Sequence, residues 1–69
     1  MSHFQYKVEF VTPKEPALAS VLHRRFFISY EEAYRFVVGW GSIAHLYRRD
    51  HTAPGWVCLG SYHKGVQTP

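Results

Sequence analysis

Hydrophobic and polar residues alternate with period two from Phe4 to Val11. Phe4, Tyr6, Val8 and Phe10 share one face, and Gln5, Lys7 and Glu9 share the other. This pattern, rich in aromatic and β-branched residues, predicts a half-buried strand. A second strand is expected over Val21 to Ile28, most clearly from His23. One alternation turns Leu22, Phe26 and Ile28 inward and Val21, His23, Arg25 and Phe27 outward. Arg24 then falls on the inward side, with its head reaching water at the sheet end.

The period changes at Ser29. Ala33, Phe36, Val37 and Trp40 recur at i, i+3, i+4 and i+7, which predicts a helix with one apolar stripe. Ser29 and Glu32 have the spacing of a reciprocal capping box. Glu31 and Glu32 suit the positive end of the helix dipole. Gly41 is placed to supply a left-handed C-terminal residue, and Gly39 weakens the last turn. Such a short helix is marginal alone in water, so the stripe requires a sheet to pack on.

Two more strands follow, Ile43 to Arg49 and Trp56 to His63, joined through a turn at residues 50–55 that contains Pro54-Gly55. Gly60 is a candidate bulge. Residues 12–20 carry Pro13 and Pro16 and admit two readings. One is a loop, with at most one helical turn. The other is a helix start, with Thr12 as cap, Pro13 in the first position and Glu15 closing a capping box.

The expected fold is therefore α+β, a single small domain in ββαββ order. A four-stranded antiparallel sheet carries one helix on one face, leaving the other face open to solvent or a partner. Residues 1–63 form this domain, and 64–69 form a flexible C-terminal tail with too little apolar content to pack.

Size sharpens the picture. At 69 residues the chain is one domain with a small core, and its one cysteine, Cys58, forbids an intrachain disulfide. Twelve aromatic residues offer the alternative support, supplemented by homodimerisation. No apolar run approaches ~20 residues, so no membrane span is expected. The opening residues lack signal-peptide character, so a cytoplasmic protein is expected. The net charge of +3 tilts weakly toward acidic partners or nucleic acid.

Candidate chemistry is sparse. The five histidines (His3, His23, His45, His51 and His63) and Cys58 come near zinc-ligand spacings only in Cys58-x₄-His63 and His45-x₅-His51. Neither supplies three converging ligands, so no metal or cofactor is expected. Cys58, between Val57 and Leu59, reads as a packed strand residue; no orienting group or oxyanion site marks it as a nucleophile. The chain carries no phosphate-cradling glycine loop, and a domain this size lacks the depth of a typical ligand pocket of about 300 Å³. An enzyme is not expected.

Binding is. Arg24-Arg25 and Arg48-Arg49 are two doublets on strands; if strands two and three lie near each other, one member of each joins an exposed stripe, and with Phe27 and Tyr47 for stacking this resembles the arginine and aromatic platforms that bind single-stranded nucleic acid. The same residue types dominate protein interfaces. The candidate partner-binding residues are Arg24, Arg25, Phe27, Tyr30, Tyr34, Arg35, Tyr47, Arg48, Arg49, Trp56 and Tyr62. In overall form the chain resembles the accessory proteins of bacteriophages and mobile elements, including anti-CRISPR and host-takeover inhibitors. That resemblance is one of size and element order and involves no diagnostic residues. It implies a stoichiometric inhibitor of a larger host protein, acting in the host cytoplasm. The leading expectation is thus a non-enzymatic protein-binding module; the alternative is a small basic nucleic-acid-binding protein.

Overall fold

The structure, a computed structural model, describes residues 4–12, 21–50 and 55–68. The elements in chain order are β1 (Tyr6–Thr12), β2 (Val21–Phe27), α1 (Tyr30–Gly39), β3 (Ile43–Arg49), β4 (Trp56–His63) and β5 (Val66–Thr68). The sheet is antiparallel throughout, in the order β2-β1-β3-β4-β5. It has five strands rather than the four expected. Val66–Thr68, assigned from sequence to the C-terminal tail, pairs with β4 through Ser61↔Thr68, Tyr62↔Gln67 and His63↔Val66.

The turn before β5 explains that difference. Lys64 and Gly65 both have positive φ, 53° and 81°, between His63 and Val66. Two such residues make the tight turn that matches strand twist, so the chain doubles back at once. Gly65 is required twice over: its φ suits glycine, and a Cβ built there would overlap the Val38 carbonyl oxygen.

β2 and β3 flank β1, and α1 connects them across one face of the sheet. The core lies in that layer: Val8, Phe27, Ala33, Val37, Ala44, Leu46 and Tyr62 are buried, with Tyr6, Phe10, Phe36 and Trp40 packed around them. The expected stripe is in place, with Ala33 and Val37 fully buried and Phe36 and Trp40 half-buried. Ala33 on the helix and Ala44 on the sheet are small, which fits close approach of the two layers. Phe10 then fills the margin, its ring 4.8 Å from Phe36 and 4.7 Å from Trp40. The Trp40 indole donates to the Val11 carbonyl at 2.9 Å and pins the helix end to β1.

Several local expectations are corrected. β1 begins at Tyr6, so Phe4 precedes it and is exposed. β2 runs in the opposite phase to the one read from sequence: Phe27 is buried, while Leu22 and Phe26 face outward with Arg24. The pairing Tyr6↔Phe27 decides this, because a one-residue change of phase moves every side chain to the other face. Ser29 has the extended backbone of an N-cap but makes no side-chain cap bond, so the capping box is not closed. Its carbonyl instead accepts from the Ala33 N–H. Gly41 is not left-handed; the helix ends on Trp40, whose N–H donates to the Val37 carbonyl. The β3–β4 ladder shifts register between Leu46 and Tyr47, which leaves Leu59 as the extra residue, next to Gly60. Cys58 is exposed rather than packed. The alternative readings of residues 12–20 fall, beyond Thr12, outside the described residues, as do Pro54, His3 and His51. Among the described residues no helix is long and apolar enough to cross a membrane.

Candidate binding surface

Strand registers assign the face opposite α1. β1 gives it Lys7, Glu9 and Val11, and β2 gives it Leu22, Arg24 and Phe26. β3 gives it Ile43, His45, Tyr47 and Arg49, and β4 gives it Trp56 and Cys58, then Ser61 and His63 beyond the bulge. No described element covers this face. Leu22 is 53% exposed, Phe26 43% and Ile43 43%, which marks it as an open surface.

A polar network occupies its centre. Glu9 accepts from Arg24 Nε at 2.9 Å and lies 3.8 Å from Lys7 Nζ. The Tyr47 hydroxyl lies close enough to favour the charged form of Glu9 as well. The Arg24 bond, ahead of the opposing effect of burial, holds the Glu9 carboxyl below its ordinary value; Tyr47 and Lys7 add to the lowering. Burial, then the Glu9 carboxylate, raises the Tyr47 hydroxyl. Glu9 is therefore a charged anchor beneath a cationic surface. Among the described strand residues of this face it is the one acid, against Lys7, Arg24 and Arg49.

Aromatic rings border that network. Lys7 Nζ lies 4.7 Å from the Tyr47 ring centre and 4.9 Å from that of Trp56. The Arg49 guanidinium stacks over Trp56 at 4.8 Å, and its Nε donates to the Phe4 carbonyl at 2.9 Å. Phe4, Phe26 and Trp56 form a row with successive ring centres 5.9 and 6.0 Å apart. These contacts hold the rings in place before any partner arrives, which lowers the ordering cost of binding.

The candidate residues divide between three places. Arg24, Tyr47, Arg49 and Trp56 share the open face. Phe27 and Tyr62 belong to the core, Phe27 against Phe36 and Tyr62 against Tyr34. Tyr30, Tyr34, Arg35, Arg25 and Arg48 lie on the helix side. There Tyr30 stacks on Tyr34 at 5.8 Å and meets Tyr6 edge-on at 5.7 Å. Burial, with Tyr30 and Tyr34 behind it, raises the Tyr62 hydroxyl. Arg35 makes an exposed i,i+4 pair with Glu31 at 4.0 Å, a contact of small energetic weight. Arg25 stacks over Phe27 and Phe36 at 5.4 and 5.5 Å. Both arginine doublets are thus split by the pleat, one member to each face, which puts Arg24 and Arg49 together on the open face.

Sequence reading missed Phe4, Lys7, Glu9, Leu22 and Phe26 at this surface. The signal for Lys7 and Glu9 was their position on the polar face of a strand that proves central: opposite charges two apart on one face are neighbours. The histidines disperse. His23 stacks on Phe10 at 5.3 Å, His45 Nδ1 is 2.7 Å from Ser61 Oγ, and His63 is exposed. Among the described residues no three His, Cys, Asp or Glu side chains gather as metal ligands would. Comparison of the chain with protein-family models, curated proteins and solved structures finds no match.

Proposed function

We propose that this chain is a non-enzymatic protein-binding module that uses its open sheet face to dock on a larger protein with an apolar, acid-rimmed surface. One observation carries the reading. A preassembled row of rings, Phe4, Phe26 and Trp56, lies on a face that also exposes Leu22 and that carries Lys7, Arg24 and Arg49 against one described carboxylate, Glu9. Aromatic and arginine side chains clustered on an exposed surface are the residues that dominate protein recognition. The charge balance favours acidic groups on the partner. Binding of this kind acts by occlusion, one chain to one partner site.

A second reading, single-stranded nucleic acid, draws on the same ring row, since bases stack on exposed aromatics beside arginines. The engagement of Arg24 by Glu9 weighs against it. Affinity capture with and without nuclease separates the two. A fixed-stoichiometry protein partner is expected to survive nuclease and to be lost from Leu22→Ser/Phe26→Ser, while Tyr34→Ser on the helix side retains it. Loss of every partner on nuclease treatment would establish the nucleic-acid reading instead.

A further inference from the structure

We propose that the outer edge of β2 receives an acidic, extended segment of the partner protein, which adds to the sheet as a sixth strand. The inference deepens the protein-binding reading and rests on it. Among the described residues β2 ends the sheet order and pairs only with β1, through seven successive residue pairs without a register shift. Six of its seven residues are exposed. A long, regular edge presents a row of backbone donors and acceptors that invites another strand.

Charge says which strand. His23, Arg24 and Arg25 are consecutive at the middle of β2, so basic groups flank the edge on both faces. Arg24 remains 60% exposed while paired with Glu9. Arg25 has no carboxylate within ion-pair distance among the described residues; its guanidinium rests on Phe27 and Phe36. A second copy is a poor occupant. Two β2 strands paired antiparallel about Arg24 would set Arg24 against its own counterpart and His23 against Arg25. A shift of one residue either way still opposes basic to basic, and like charges directly opposite are destabilising. An incoming strand with acids opposite residues 23–25 gains where a second copy loses. Leu22 and Phe26, exposed on either side of Arg24, call for apolar residues at its two flanks. The fitting segment therefore reads apolar, three acids, apolar.

The test uses the full chain and the peptide acetyl-Thr-Val-Glu-Glu-Glu-Val-Thr-amide, followed by amide NMR and hydrogen exchange. Binding is expected to shift β2 amides and slow their exchange. A peptide with lysines for glutamates, or one N-methylated at alternate residues, is expected not to bind. Arg25→Glu, with its melting temperature checked, is expected to weaken binding about fivefold or more; Arg24→Gln gives a milder loss without charge reversal. No binding of the acidic peptide, or binding unchanged by N-methylation, overturns the proposal. Shifts confined to Lys7, Tyr47 and Trp56 with β2 exchange unaltered overturn the edge but leave the open-face reading standing. A chain that ignores the peptide and binds oligouridylate on its open face overturns both.

Discussion

At Glu9 a single carboxylate organises half of the open surface. Its ordinary pKa is 4.5, and the Arg24 bond, opposed by burial and helped by Tyr47 and Lys7, lowers it in the folded chain. A carboxyl depressed on folding stabilises the fold above its unfolded pKa and ceases to do so as pH falls through the folded value. Its contribution is therefore complete at neutral pH and fades below about pH 4.5. Melting temperatures recorded from pH 7 to pH 3 are expected to fall on that acid limb. Glu9→Gln should flatten the limb and also lower the neutral plateau, because Arg24 and Lys7 lose their anion. An acid limb identical in the variant would show that Glu9 is not the group responsible. The tyrosines act at the other extreme: Tyr47 and Tyr62 are raised above their ordinary 10.0, so the stability they lend is present below that pH and lost above it.

The elements differ in how plainly their residues announce them. The alternation of β1 and the Ala33–Phe36–Val37–Trp40 stripe were legible because each has one apolar phase that outweighs the other. β2 was not, since both of its phases hold apolar residues and two adjacent arginines break the alternation; pairing with Tyr6 selects the phase that buries Phe27. β5 is too short for any periodicity to register, and its only local cue is the Lys64-Gly65 turn. The surface followed the elements. Tyr47, Arg49 and Trp56 were found because their strands were placed correctly, whereas Phe26 and Leu22 were hidden by the wrong phase of β2. The capping box shows a motif present in sequence yet unused in the fold. Ser29 makes no side-chain bond to the helix, so Ser29→Ala is expected to cost under ~0.5 kcal/mol in chemical denaturation, against the ~1 kcal/mol of a working cap. A loss near the larger figure would reveal a cap bond in solution. Helix stability comes instead from its packed stripe, as expected for ten residues.

For the molecule as a whole, the two sheet edges are protected in different ways. The β2 edge is long and relies on charge, since His23, Arg24 and Arg25 repel a like strand. The other edge relies on brevity. β5 has only three residues, all exposed, and it pairs with Ser61, Tyr62 and His63, the last three residues of the eight-residue β4. The Thr68 hydroxyl ties β5 down by donating to the Ser61 carbonyl at 3.1 Å, and the Gln67 side chain lies against Gly60. β4 lacks the charge of β2: from Trp56 to Tyr62 it bears no Lys, Arg, Asp or Glu, and Val57 and Leu59 are exposed on it. Loss of β5 would free residues 61–63 as well and extend the uncharged, partly apolar edge along the whole strand, the kind of edge that pairs with copies of itself. Deleting residues 66–69 is therefore expected to leave the far-UV circular dichroism of an α+β fold largely in place. Sedimentation velocity should nevertheless show new, concentration-dependent association relative to the full chain. Restoring solubility with Leu59→Lys in the truncated chain would trace the association to that edge. A truncated chain that is folded and sediments as the full chain does, at every concentration, would mean that β4 needs no cover and that β5 serves another purpose.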